Sequence, residues 1–259
     1  MNVLEPYHLG RRFNLKLLSG ISAGVMFVAW MLAPASTGIP SPLAIAIAWN
    51  NMALSQGLLI ELFNSMVVIW QALLFSAILS CGIAFLTTAD IFKGVGTFIA
   101  SLRFLGFAGL TFLFTLWTSS GTSLKLALLT FGMTVFLTRS TIDVIKSIPQ
   151  SDIDYARSLG LSGWRLAWEV GACGKQADML DLVRQNAAIG WTLLSMVEGL
   201  VRSEGGVGAM LLSQNKYFNL SAVFAIQLTI LAYGILQDVA LSWIRGVICP
   251  WTRINRSDE

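Results

Sequence analysis

Histidine is nearly missing from this chain of 259 residues, and His8 is the only one. Histidine-based catalysis and histidine-held metals within a membrane therefore have no side chain to work with. Cysteine is scarce too. Cys81, Cys173 and Cys249 lie far apart with no Cys-x-x-Cys spacing, so neither a disulfide framework nor a zinc site is encoded. Charge is the third deficit. Charged residues make up 12% of the chain, against about 25% in a soluble domain. So few charges cannot clothe a water-exposed surface of this size, which argues against a soluble enzyme. A net charge of +3 is also too weak to argue for nucleic acid as a partner.

What is present is apolar. Hydrophobic residues reach 55% and the mean hydropathy is +0.70. Disorder needs the opposite composition. The chain reads as an integral all-α membrane protein. A bilayer core takes roughly 20 apolar residues per helical span. Six stretches qualify: Leu17–Ala33, Leu62–Leu86, Thr97–Trp117, Leu124–Thr138, Asp181–Val201 and Ala222–Ile244. The fourth is short unless it extends to Val144. A β-barrel is disfavoured because the apolar runs are long and do not alternate. Arg11, Arg12 and Lys16 precede the first stretch, which ends in Ala33-Pro34-Ala35 like a signal peptide. We read it as an uncleaved anchor helix.

Basic residues set the expected orientation. With the N-terminus inside, the cytoplasmic segments collect Lys93, Arg139, Lys146, Arg157, Arg165, Lys175, Arg184, Arg245 and Arg253. The outer segments hold only Lys125, Arg202 and Lys216. Residues 1–16 and 245–259 are then cytoplasmic ends flanking one membrane domain, 17–244. The expected location is a bacterial inner membrane, crossed several times.

Two stretches between spans carry signals. Ser41-Pro42 is a helix start, with an N-cap oxygen before a proline in the first position. The mixed residues after it read as a helix at the outer membrane interface, or as an ordinary outer loop. The larger hydrophilic loop, about 145–180, contains Ser151-Asp152-Ile153-Asp154, a capping-box type of start. That helix is expected to run to Leu159 and stop at Gly160. Ser162 would cap a second helix over Trp164 to Val170.

Asp154-Tyr155-Ala156-Arg157-Ser158-Leu159-Gly160 resembles the "EAA" loop of binding-protein-dependent ABC importer permeases. Counting onward, Val170 falls on that pattern's isoleucine. Ala172 and Cys173 fall on its Leu-Pro and do not match. Other segments resemble the nitrate/sulfonate/taurine-type subfamily: Ile39-Pro40-Ser41-Pro42, Phe114 to Trp117, Trp191, Glu198-Gly199-Leu200, Gly205 to Gly208, and Leu236-Gln237-Asp238. The resemblance implies a type I importer permease fold of six transmembrane helices, with an outer interfacial helix and cytoplasmic coupling helices. It implies that Asp154, Tyr155, Ala156, Arg157, Leu159, Gly160, Trp164 and Arg165 contact an ATPase. The chain would be no enzyme itself and would bind no cofactor, since ATP and Mg belong to the partner. It implies a second permease copy, identical or related, and an extracytoplasmic solute-binding protein. The missing Leu-Pro fits simple divergence or the more degenerate half of a heterodimer. Without the resemblance, composition alone favours reading the loop as a solvated segment that touches nothing.

Polar positions within the spans are candidates for the solute pathway. They are Thr115, Thr118, Thr130, Thr134, Asn186, Thr192, Ser195, Glu198, Gln227 and Tyr233, with Trp191 beside them. Single Ser and Thr residues in membrane helices often bond their own backbone instead. Glu198 is expected to be paired or hydrated, because a charge at mid-membrane is expensive. Arg202 is the sequence candidate for its partner, in a structural ion pair or at an outer gate. Gly205-Gly206-Val207-Gly208 lacks the strand before it and the Gly-Lys-Ser/Thr after it that a phosphate loop needs. The implied function is ATP-driven import of a small anion such as nitrate, a sulfonate, taurine or bicarbonate, by alternating access. The alternatives are a secondary transporter or channel driven by an ion gradient, which would need charged relays in several spans, and a membrane-embedded enzyme, for which no catalytic constellation is evident.

Overall fold

The computed structural model describes residues 40–251 and, before them, the helical positions 20–22, 24–25, 28 and 30–31. The expected first span, Leu17–Ala33, therefore lies in large part outside the described residues. So do both expected cytoplasmic ends, apart from 245–251.

The described chain is helical throughout. Helix α1 (Pro42–Ser55) starts as its sequence predicts, with the Ala44 N–H donating to Ser41 Oγ at 3.3 Å. Helix α2 (Leu58–Leu86) follows. Short helices α3 (Lys93–Ser101) and α4 (Phe107–Thr115) lead to α5 (Gly121–Lys146). Then come α6 (Gln150–Ser158), the single turn α7 (Gly163–Leu166) and a π-helical stretch, Ala167–Cys173. Helices α8 (Gln176–Leu200), α9 (Val207–Lys216) and α10 (Leu220–Ile248) complete the order.

This overturns the expectation of six transmembrane helices. Among the described residues, three helices are long and apolar enough to cross a membrane: α2, α5 and α10. At 26 to 29 residues, each is about 40 Å long. The count reaches four only if the bent α3/α4 pair is one span. The reasons are physical. The apolar run from Thr97 to Trp117 is broken, because the backbone turns extended at Leu105 and Gly106 and the two halves diverge by 113°. The run from Asp181 to Val201 does form one helix, but Arg184, Gln185, Asn186 and Glu198 lower its average hydropathy. Among the described residues, nothing marks an interfacial helix or coupling helices either. Helix α1 is part of the packed body: Ile45 and Met52 are buried, and Trp49 Nε1 donates to Thr229 Oγ1 of α10 at 3.1 Å.

The core forms where α2, α5 and α8 meet. Ile69, Leu73, Leu129, Met133, Ala187, Trp191 and Leu194 interdigitate there. Polar side chains cross-link the same helices. Ser80 Oγ donates to Thr134 O at 3.1 Å, and Asn186 Nδ2 donates to Met133 O at 3.2 Å. With no water to compete, such bonds fix one register. The contacts make α2 and α5 parallel and α8 antiparallel to both. A second cluster, Met52, Leu58, Leu62, Val207, Ala222 and Ile226, ties α1 and α9 to the starts of α2 and α10.

Candidate functional site

Three features stand out. At one end of the bundle, the start of α2, the start of α5 and the end of α8 surround the loop before α9. Glu198 is 1% exposed. Ser65 Oγ donates to its Oε1 at 2.6 Å, and the Gly208 N–H donates to its Oε2 at 2.8 Å. The Val207 N–H donates to Ser65 Oγ at 3.1 Å, and the Gly206 N–H donates to Glu61 Oε2 at 2.6 Å. Two carboxyl groups and the hydroxyl between them thus hold three consecutive amides at the start of α9, where the helix dipole favours negative charge. Lys125 Nζ grips the same loop by donating to Gly205 O at 2.6 Å.

Only glycine suits this loop. Gly206 has φ +103°, and a Cβ there would stand 2.3 Å from Glu198 Cδ. The expected Glu198–Arg202 pairing is corrected by this geometry. Glu198 is satisfied by Ser65 and Gly208, while Arg202 Nε donates to Gly199 O at 3.2 Å. Glu198 is part of a structural clamp. Its partners Ser65, Glu61 and Lys125 were not among the sequence candidates, although a Glu and a Lys at the edges of apolar runs are a usable signal.

At the opposite end lies the segment from α6 to the π-helical stretch. Helix α6 ends in a Schellman motif: the Gly160 N–H donates to Arg157 O at 2.9 Å, and the Leu161 N–H donates to Ala156 O at 3.2 Å. Gly160 takes φ +83°, as its place after the helix requires. The capping box does not form. Pro149 stands at the N-cap, and Asp154 accepts from Gln150 and Arg157 side chains at 3.1 and 3.2 Å instead. Ala156 is buried, whereas Tyr155, Leu159, Trp164, Arg165 and Trp168 are exposed. Trp164 and Trp168 both lean on Phe85 at the end of α2, with ring centroids 5.3 and 5.9 Å apart. A groove of about 660 Å³ runs between this segment and the ends of α2 and α5, lined by Thr87, Ile142, Ile145, Ile153 and Trp164 among others. Where the Leu-Pro is missing, the wide turns of the π-helix carry the chain back toward α8, closed by the Gly174 N–H donating to Glu169 O at 2.9 Å.

The third feature is a groove of about 440 Å³ between α8 and α10. Trp191 and Gln237 line it, and the indole Nε1 donates to Gln237 Oε1 at 2.6 Å. Arg184 Nε meets Asp238 Oδ1 at 2.8 Å at its edge. Of the remaining pathway candidates, Gln227 also lines it, and the others do not converge there. Thr115 is exposed and donates to Thr111 O at 2.7 Å along its own helix. Ser195 Oγ likewise donates to Trp191 O at 2.8 Å, and Thr192 is exposed. Tyr233 packs against both core clusters.

No family model matches the chain. It is 26% identical over 139 residues to the taurine transport system permease protein TauC of Escherichia coli (strain K12). That match covers 54% of this chain and 50% of TauC, so the chain spans about half the length of the curated relative it matches. The chain is thus a helical, largely apolar protein with distant homology to a transport permease. Three apolar helices of membrane length are consistent with a membrane-embedded protein.

Proposed function

We propose that this chain is the permease subunit of an ATP-driven importer for a small anionic solute such as taurine, another sulfonate, nitrate or bicarbonate. One observation carries the reading. The segment from α6 to the π-helical stretch, turned by the Gly160 motif, leaves Tyr155, Leu159, Trp164 and Trp168 exposed. Exposed aromatics on a rigid element suit a protein partner. Phe85 links that element to α2, so a push on the segment moves a long helix as a body. The distant homology to TauC supports the same reading. Arg157 and Arg165 add charge for acidic groups on the partner.

In this mechanism a separate ATPase binds ATP and Mg, docks on residues 150–173 and drives alternating access. The permease catalyses no reaction itself. A second permease copy completes the pathway, and an extracytoplasmic binding protein delivers solute at the clamp end. The lysine and arginine bias supports a cytoplasmic position for residues 150–173 and both chain ends in a bacterium. A gradient-driven transporter would need mobile charges in its helices. Glu198 and Lys125 are instead held in the clamp. The test is affinity purification of the tagged chain from native membranes in mild detergent. An ATPase with nucleotide-binding motifs in the complex supports the importer. Repeated recovery of a stable assembly without one would rule it out.

A further inference from the structure

We infer that the groove between α8 and α10 is a solute site, in which the Gln237 amide and Arg184 receive a carboxylate or sulfonate group. The inference rests on the importer reading and adds a place where the solute sits. An indole N–H can only donate, so its bond to Gln237 turns the amide oxygen toward Trp191 and the –NH2 group away. Gln237 is 4% exposed, and its Nε2 has no hydrogen-bond partner. Buried polar groups are nearly always paired, so a donor left over beside an open groove points to an acceptor that arrives from outside. The last torsion of a glutamine side chain is soft. A modest swing brings Nε2 to the groove while Oε1 keeps the indole.

The rest of the groove fits the same ligand. Ala187, Ile230 and Gly234 give it an apolar wall, which suits a short alkyl chain. Its volume of about 440 Å³ lies in the usual range for small-molecule sites. The guanidinium of Arg184 carries five donors in a fork, and Asp238 engages it through Nε. An arriving oxyanion can meet the same cation without displacing Asp238. For a cationic solute, the Nε2 donor of Gln237 and the Arg184 guanidinium present the wrong polarity.

The test is equilibrium binding of radiolabelled ethanesulfonate and acetate to the full chain in lipid nanodiscs, purified with any ATPase that accompanies it. Choline is the cationic control. Saturable binding of the anions but not of choline is expected. Gln237→Leu should weaken it at least tenfold. Ala188→Phe, at an exposed position on the rim, should weaken it as much by filling the groove while leaving the core packing untouched. Absence of saturable anion binding, or binding unchanged in both variants, overturns the inference. The two proposals fail separately. A complex that keeps its ATPase but binds no anion in the groove removes this site and leaves the importer. Groove-dependent binding without any ATPase supports the site and removes the importer.

Discussion

Replacing Glu198 by alanine should cost more than any other single truncation at the clamp. The side chain is fully enclosed and accepts from Ser65 Oγ at 2.6 Å and from the Gly208 N–H at 2.8 Å. Removing it orphans both donors where water cannot reach them. Each orphan costs about 1–3 kcal/mol, and the lost packing adds to that. The expected loss is about 3–6 kcal/mol. Glu198→Gln should be milder, near ~1–2 kcal/mol, because its amide oxygen still accepts from Gly208 while its –NH2 donates to Ser65. The measurement is equilibrium unfolding of the purified protein in mixed micelles, followed by tryptophan fluorescence. Hydrogen exchange across residues 202–212 gives the local readout, and alanine should speed it at Gly208 by at least tenfold. An alanine variant within about 0.5 kcal/mol of the parent, the usual scatter of a neutral surface change, with unchanged exchange at Gly208, would refute the clamp.

Four further outcomes follow from the same geometry. Lys125→Met removes the donor to Gly205 O and should lower stability by about 1–3 kcal/mol in the same unfolding assay. Gly206→Ala places a Cβ 2.3 Å from Glu198 Cδ at φ +103°, so folded yield on size exclusion should fall sharply while Gly109→Ala, with open space around it, stays near normal. On the proposed importer reading, Trp164→Ala with Trp168→Ala should abolish co-purification of an ATPase yet shift the melting temperature by only a few degrees, since aromatic pairs are worth about 0.5–1.5 kcal/mol each. Gly160→Asp strains the backbone at φ +83° and should uncouple ATP hydrolysis from uptake in proteoliposomes or prevent assembly; normal coupled uptake would count against residues 150–173 as the docking segment.

Hydropathy located what it physically reports. The apolar runs ending at Leu86 and Ile244 match α2 and α10, and the short run from Leu124 does extend, to Lys146. Local capping chemistry was legible too, at Ser41 and at Gly160, because both signals act within a turn of chain. The break in the third run was not. A window average cannot see an extended backbone at Leu105 and Gly106 when the residues on either side are equally apolar. The fifth run reads as a span despite Asn186 and Glu198. They dilute the hydropathy of α8, yet both are buried and bonded to other helices. The capping box failed because Pro149 started the helix earlier and Gln150 and Arg157 competed for Asp154. The site partners were least legible. Glu198 finds Ser65 across 133 positions, and Trp191 finds Gln237 across 46. One sequence gives no measure of such distances.

The clamp also dictates a timetable for the birth of the protein. Glu61 and Ser65 leave the ribosome long before their partners exist, since the Glu61 contact spans 145 positions and the Val207 contact 142. At about 5–20 residues per second, α2 waits on the order of ten seconds with an unmatched carboxyl group near its leading edge. Lys125 waits 80 positions for Gly205. Until residues 205–208 are made, α2 and α5 have no lock between their starts. A truncation before Gly205 would therefore leave the Glu61 carboxyl group and the Lys125 ammonium without the backbone partners they hold in the complete fold.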